Sequence, residues 1–222
     1  MPMKKRVRTP AKAAKKPRGK AASGSEQAAR RDKATIRKLR AELAMALKRS
    51  EELSACADTD FLLGIPNRRG FEHELSRAVA YIKRYRASGA LIVLDVDRLK
   101  PINDAFGHAA GDKVLKAIVD VLTRQVRASD VVGRLGGDEF GLLLWNLTET
   151  DARAKAAALE ADIDRLIFSF GGQSVAAGAS AGVAVLGPNS EVGRALEEAD
   201  SAMYVRKAQR RHEPSAAVIA KV

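Results

Sequence analysis

The sequence predicts an α/β fold in which helices flank a mainly antiparallel central sheet. Segments with the 3.6-residue period of amphipathic helices alternate with short β-rich runs. The run 91–94 is wholly apolar and ends at Asp95, which is typical of a buried strand. Two further strand-like runs flank Gly136 and Gly137, and adjacent glycines allow a tight hairpin with positive φ. These features place a buried sheet at the centre of the fold.

The first 33 residues are strongly basic and poor in large apolar side chains. They contain twelve Lys or Arg and two acids, and so carry +10 of the net charge of +12. We expect residues 1–33 to be disordered because they lack the apolar content to form a core. Their charge would suit nucleic acid or an anionic membrane. However, the absence of aromatic residues for stacking or anchoring favours a solvated arm.

Residues 34–57 are predicted to form a helical connector. Good helix formers dominate this segment, and its apolar residues recur at three- and four-residue intervals: Ile36, Leu39, Leu43, Ala46 and Leu53. Such a stripe suits a short two-helix coiled coil or a helix packed on the domain that follows. Ser50 interrupts the stripe, so self-association through it would be weak.

The remainder, residues 58–222, is predicted to be a single catalytic domain. Helices are expected near 68–87, 110–127, 149–168 and 192–210. Strands are expected near 90–96, on both sides of the 136–137 turn, at 175–186 and at 216–219.

Composition excludes several classes of protein. The single cysteine, Cys56, rules out an internal disulfide or a cysteine-rich zinc site, which fits a reducing cytoplasm. No apolar run has the length of a bilayer span, and no secretory signal follows the basic N-terminus. We therefore expect a soluble, cytoplasmic protein.

Three polar segments are candidates for chemistry. The hairpin turn combines bare backbone N–H groups, which can approach an anion, with two acids that can hold a hard cation. The acids after 91–94 would lie at the carboxyl end of a buried strand, where sheets place ligands. The segment 98–112 is dense in groups that contact a base or a phosphate. Individually these residues also suit solvated turns and helix caps, but together they suggest a site for a metal-bound phosphate ester.

In this order and spacing, the motifs resemble the GGDEF family of diguanylate cyclases. The resemblance covers roughly the last 160 residues and includes Asp60-Phe61-Leu62-Leu63-Gly64-Ile65-Pro66-Asn67-Arg68-Arg69, Asp95-Val96-Asp97-Arg98-Leu99-Lys100, Asn103-Asp104-Ala105-Phe106-Gly107-His108-Ala109-Ala110-Gly111-Asp112, Gly136-Gly137-Asp138-Glu139-Phe140 and Ala199-Asp200-Ser201-Ala202-Met203-Tyr204. It implies a ferredoxin-like sandwich, shared with nucleotidyl cyclases, and the condensation of two GTP into cyclic di-GMP. Leu63 and Leu99 depart from the threonine and phenylalanine usual in the family, which bears on local packing.

The resemblance implies a Mg²⁺ site, with Mn²⁺ as an alternative. Asp95 and Asp138 would be side-chain ligands, and Val96 would contribute its backbone carbonyl. Glu139 would be a further ligand or the base that accepts the 3′-hydroxyl proton, a role that Asp138 could share. The donors here are all oxygens, which favours Mg²⁺ or Mn²⁺ over zinc.

The family pattern also implies how guanine is recognised. Asn103 and Asp112 would hydrogen-bond the guanine edge, since a carboxylate accepts from N–H groups that adenine does not present together. This implies GTP over ATP as the substrate. His108 lies in the same segment and is either a nucleotide contact or a structural histidine.

The remaining predicted substrate contacts are to phosphate. Lys100 would neutralise charge in the transition state, and Gly136 and Gly137 would admit the phosphates. Lys207 and Arg211, four residues apart on one helix face, would hold the triphosphate tail. A solvated basic face is the alternative for that last pair.

Two features of the family concern assembly and regulation. The product contains two guanylyl units and the predicted site binds one GTP, so catalysis would require an antiparallel homodimer. Arg127 and Asp130 have the Arg-x-x-Asp spacing of the family's inhibitory site, and would bind cyclic di-GMP in feedback inhibition. Alternatively, Asp130 only caps a turn.

Other functions remain open at this stage. The domain could be a catalytically silent receptor for GTP or cyclic di-GMP, or the basic tail could make this a nucleic-acid-associated protein. The presence of every predicted catalytic side chain favours an active enzyme.

Overall fold

The computed structural model describes residues 20–212, which form six helices and six strands. The helices are α1 (Lys20–Ala57), α2 (Arg68–Tyr85), α3 (Leu99–Phe106), α4 (His108–Arg124), α5 (Glu149–Asp164) and α6 (Val192–His212). The strands are β1 (Gly89–Asp97), β2 (Val131–Arg134), β3 (Glu139–Trp145), β4 (Ile167–Phe170), β5 (Gln173–Ala176) and β6 (Gly178–Leu186). None of these helices is both long and apolar enough to cross a membrane.

Contacts divide the described chain after Leu53 into two units, the first of which contains most of α1. Its apolar stripe is exposed at Ile36, Leu39 and Leu43. Residues 20–33, predicted to belong to a disordered tail, instead form the first turns of this helix. Alanine, arginine and lysine make up eight of these fourteen residues and favour helix over coil. The rest of the predicted tail, residues 1–19, lies outside the described residues.

The second unit is built on a four-stranded sheet with the order β2-β3-β1-β6. Every neighbouring pair is antiparallel, as the sequence predicted. In the register, Asp95 on β1 lies opposite Glu139 on β3 and opposite Ser180 on β6. The central strand therefore carries an acid between its two neighbours.

Helices cover both faces of the sheet. Helices α4 and α5 pack on one face with buried side chains that include Val114, Leu122 and Leu159. Helices α2 and α6 pack on the other face, where the core includes Leu75 and Met203. Strand side chains alternate between faces, and Leu91 and Val93 belong to the second core. Asp95 therefore faces the α2 and α6 layer.

Three predicted elements differ from the structure. The polar segment after β1 is a helix, α3, because Leu99 and Ile102 supply a buried apolar face; Gly107, with φ of 82°, separates it from α4. The helix predicted to reach residue 168 ends at Asp164, because β4 pairs with β5 in a separate two-stranded sheet. The strand predicted for 175–186 is thus divided between β5 and β6. The last predicted strand, 216–219, lies outside the described residues.

Candidate active site

The antiparallel pairing of β1 and β3 brings the predicted metal-binding acids together. Asp95 lies opposite Glu139, and the Val96 N–H donates to the carbonyl oxygen of Asp138 at 2.9 Å. The carboxyl end of one buried strand thus meets the first residues of the next. Asp95 is buried, whereas Asp138 and Glu139 are half-buried.

The environment of these acids changes their proton affinity. Burial raises the pKa of the Asp95 carboxyl, and the hydrogen bond and charge of Lys207 offset only part of that effect. Burial also raises the pKa of Glu139, and the negative charge of Asp95 raises it further. Repulsion between neighbouring carboxylates would be relieved by a bound cation.

The donor set is small. Among the side chains that the structure describes, no three His, Cys, Asp or Glu form a group that could hold a metal ion by themselves. Mg²⁺ is commonly bound by one or two carboxylates, with water and substrate phosphates in the remaining positions. The pair of Asp95 and Asp138 fits that mode of binding.

Arg134 holds the hairpin turn in place, a role that sequence reasoning missed. Its Nε donates to the Gly136 carbonyl at 3.0 Å, and its guanidinium also donates to the Gly137 carbonyl at 2.7 Å. The same guanidinium pairs with Asp60 at 3.0 Å, and both side chains are largely buried. Asp60 is in turn fixed by two backbone N–H groups of the residues that follow it. The turn is thereby attached to a segment far away in the sequence.

The two glycines of the turn differ from the prediction, since neither has a positive φ. A Cβ at Gly136 would lie 2.8 Å from a carboxylate oxygen of Glu139. A side chain at this position would therefore require the flexible end of Glu139 to move. A Cβ at Gly137 would meet nothing within 4 Å, so the space beside it is open to a ligand.

The predicted guanine contacts lie on neighbouring helices. Asn103 on α3 and Asp112 on α4 are both half-buried. A Cβ at Gly111 would lie 2.0 Å from the Asn103 side-chain oxygen, so any side chain there would displace this amide. That oxygen is buried and has no hydrogen-bond partner in the described part of the chain. Lys100 and His108 are exposed near the starts of α3 and α4, which argues against a structural role for the histidine in the core.

Lys207, predicted to hold the triphosphate tail, forms an ion pair with a predicted metal ligand. Its ammonium hydrogen-bonds a carboxylate oxygen of Asp95, whereas Arg211 on the same helix is exposed. Close packing of α6 on β6 makes this contact reachable. A Cβ at Gly182 would lie 2.1 Å from the Ala199 carbonyl oxygen, so the helix lies directly against the strand.

The sequence analysis did not predict a second group of ion pairs, which lies beside the site. Arg206 pairs with the buried Glu160 at 2.9 Å. Arg210 pairs with Asp164 at 2.6 Å and with Asp97 at 3.3 Å. Two arginines one helical turn apart were visible in the sequence, but their acidic partners lie on α5 and β1.

The predicted inhibitory pair lies at the opposite end of β2 and β3 from the hairpin turn. Both carboxylate oxygens of Asp130 accept backbone N–H groups, from Arg127 at 2.9 Å and from Trp145 at 3.2 Å. Asp130 therefore caps this turn. Arg127 is exposed, and a groove of about 260 Å³ beside the turn is lined by both residues and by Lys155.

Comparisons with a family model and with curated relatives all indicate the same family. A family model described as "Diguanylate cyclase, GGDEF domain" matches residues 57–213. The chain is 41% identical over 157 residues to diguanylate cyclase TpbB of Pseudomonas aeruginosa. It is 35% identical over 161 residues to the probable diguanylate cyclase DgcE of Escherichia coli. These alignments cover 70% and 72% of the chain, but only 36% and 15% of the two relatives.

Solved structures show the same fold. The coiled coil and GGDEF domain of DgcB from Caulobacter crescentus, in complex with c-di-GMP, matches with a TM-score of 0.69 at 26% identity. That match covers 80% of this chain and 94% of the other. The GGDEF domain of TpbB matches with a TM-score of 0.61 at 39% identity, and covers 68% of this chain and 89% of the other.

Proposed function

Because the chain belongs to the GGDEF family of diguanylate cyclases, we propose that it condenses two molecules of GTP into cyclic di-GMP and releases two pyrophosphates. The observation that carries the proposal is the register of β1 and β3, which gathers Asp95, Asp138 and Glu139 at one end of the sheet. The chain spans only 15% and 36% of the two relatives described above, so the activity is inferred from the domain that they share.

The metal in this proposal is Mg²⁺, or Mn²⁺ in its place. Asp95 and Asp138 would hold it with their carboxylates, and Val96 with its backbone carbonyl. When bound, the cation would neutralise negative charge on the phosphates during transfer. The oxygen-only donor set supports this choice of metal.

We propose that Glu139 is the general base that accepts the proton of the 3′-hydroxyl. A general base works best when its pKa lies near the operating pH, and burial moves the pKa of Glu139 upward. The deprotonated 3′-oxygen then forms a bond to the α-phosphorus of the partner GTP, and the bond from that phosphorus to pyrophosphate breaks. Two such transfers close the ring.

The nucleotide would lie between the hairpin turn and α3. Asn103 and Asp112 would bind guanine, and the unsatisfied oxygen of Asn103 supports its assignment as a ligand contact. Lys100 and Arg211 are exposed cations suited to the phosphates. The open space at Gly137 would admit them.

Two further parts of the proposal concern assembly and control. One set of site residues serves one GTP, so two copies would face each other as a homodimer. The DgcB domain was solved with c-di-GMP, and we propose that cyclic di-GMP inhibits this chain by binding at Arg127. Asp130 would contribute by shaping the turn that presents this arginine.

The test of the catalytic proposal is Asp138→Ala, assayed with GTP and Mg²⁺ and followed by nucleotide chromatography. Loss of one group that stabilises charge in the transition state costs about 3–4 kcal/mol, so turnover should fall roughly a hundred- to a thousandfold. Asp120→Ala, which removes an exposed acid of α4, is the matched control and should keep full turnover. If the wild-type protein produced no cyclic di-GMP in this assay, the proposal would be overturned. If Asp138→Ala turned over GTP at the wild-type rate, the metal assignment would be overturned.

A further inference from the structure

We infer that Lys207 is the resident counter-ion of Asp95, and that metal and nucleotide bind cooperatively because the triphosphate takes this lysine away from the metal ligand. The inference rests on the proposed function, since it concerns the same site. It adds that neither the metal ion nor the nucleotide binds well without the other.

The first observation is the ion pair itself. The Lys207 ammonium hydrogen-bonds a carboxylate oxygen of Asp95, and the two side chains are only 23% and 10% exposed. An ammonium and a divalent cation repel each other at one carboxylate. A metal ion that binds Asp95 must therefore displace Lys207 or bind against its charge.

The second observation concerns the acids beside Asp95 that a displaced Lys207 could reach. Asp138 and Glu139 would face the bound metal ion under the proposed function. Asp97, two residues beyond Asp95, is already paired with Arg210 and accepts a hydrogen bond from Ser180. A half-buried ammonium without a partner is costly, which makes the binding of metal alone weak. The triphosphate of the nucleotide supplies the missing partner.

The third observation is that α6 is held on both sides of Lys207. Arg206 is bound to Glu160, and Arg210 to Asp164 and Asp97. These pairs fix the helix, so the exchange requires only the lysine side chain to move. Nucleotide without metal is also disfavoured, because taking Lys207 would leave Asp95 charged and buried without a cation.

The experiment measures Mn²⁺ binding to the nucleotide-free protein by electron paramagnetic resonance. Lys207→Met should bind Mn²⁺ at least about fivefold more tightly than the wild type, the low end of typical coupling between sites. Arg211→Met makes the same charge change on the same helix but removes no partner of Asp95, and should stay within about twofold. Lys207→Arg keeps the counter-ion and should resemble the wild type. Thermal unfolding checks that each variant is folded, and Lys207→Gln replaces Lys207→Met if that variant is not.

A second measurement tests the cooperativity directly. The probe is a GTP analogue with a methylene bridge between its α- and β-phosphates, titrated with Mn²⁺ present and with metal removed by chelation. Mn²⁺ should tighten analogue binding at least about fivefold more in the wild type than in Lys207→Met.

Three outcomes would overturn the inference: unchanged Mn²⁺ affinity in Lys207→Met, an equal gain in Arg211→Met, or equal tightening of the analogue in wild type and Lys207→Met. Because these experiments measure binding and not turnover, they test the inference independently of the proposed activity. Cooperative binding without cyclic di-GMP production would contradict only the activity. Production with independent binding would contradict only this inference.

Discussion

The two charged residues of the Arg-x-x-Asp motif, Arg127 and Asp130, have different surroundings. Asp130 directs both carboxylate oxygens to backbone N–H groups of its own turn and of β3, whereas Arg127 is exposed beside a groove. A guanidinium can donate in a fork to phosphate or to the Hoogsteen edge of guanine. The acid therefore holds the turn, and the arginine is exposed beside a groove that both residues line.

We expect Arg127→Ala to escape inhibition at cyclic di-GMP concentrations that stop the wild type, with its initial rate little changed. Hydrogen bonds to charged groups contribute about 1.5–3 kcal/mol each, so product binding should weaken by at least roughly tenfold. Inhibition curves from the initial rate of pyrophosphate release give the comparison. Arg165→Ala removes an exposed arginine that pairs with Asp162 and serves as the control. Identical curves for wild type and Arg127→Ala would show that this arginine is not the inhibitory contact.

At the scale of elements, a cluster of charges joins helices from the two faces of the sheet around the edge strand β6. Glu160 of α5 is buried and accepts the N–H of Ala181 on β6 at 2.8 Å. The same carboxylate binds Arg206 of α6 at 2.9 Å, and Arg210 lies at 3.7 Å. An unpaired strand edge is a site for unwanted association, and this cluster both satisfies part of the edge and holds α6.

Glu160→Ala should lower the free energy of unfolding by about 3 kcal/mol, because it removes the buried carboxylate that Arg206 binds and the acceptor of the Ala181 N–H. In a domain of this size that corresponds to roughly 6–12 °C in melting temperature. Urea denaturation gives the free energy directly. Glu160→Gln keeps the size of the side chain and separates loss of charge from loss of packing.

The control is Glu198→Ala, because Glu198 pairs with Arg194 on the exposed face of the same helix α6. An exposed pair of this kind contributes at most about 1 kcal/mol. A loss of stability in Glu160→Ala no larger than in Glu198→Ala would show that the cluster adds little to the fold.

At the scale of the whole molecule, the proposed reaction needs more than one chain. Asp95, Asp138 and Glu139 form one set of acids, and Asn103 and Asp112 form one candidate base site. The product joins two guanosine monophosphates, each of which must be both nucleophile and acceptor. Two copies are the simplest way to supply the second GTP.

Specific activity should therefore depend on protein concentration. Below the dimer dissociation constant the rate varies with the square of enzyme concentration, so a tenfold dilution should lower activity per protomer about tenfold. Initial rates over a dilution series, with analytical ultracentrifugation at the same concentrations, test this. Constant activity per protomer at concentrations where the chain sediments as a monomer would contradict the dimer.

Local sequence patterns predicted most of the architecture of the domain. Helices α2 and α4, strand β1 and the β2–β3 hairpin follow from apolar period and from glycines at the turn, because these patterns act between residues close in the chain. Helix α3 was not predicted, because its apolar face consists only of Leu99 and Ile102 and most of its other residues are polar or small. The order of motifs predicted that the acids of the hairpin and of β1 are metal ligands.

The pairing of charged groups, by contrast, depends on the tertiary fold. Lys207 and Asp95 lie 112 positions apart, and Arg134 and Asp60 lie 74 apart. Their contacts depend on the order of strands, on the register and on how closely α6 packs against β6 at Gly182. A sequence shows where its charges are along the chain, but a long, flexible lysine or arginine can reach several acids. Strand order and helix packing select one of them, and here they direct Lys207 to Asp95, the predicted metal ligand.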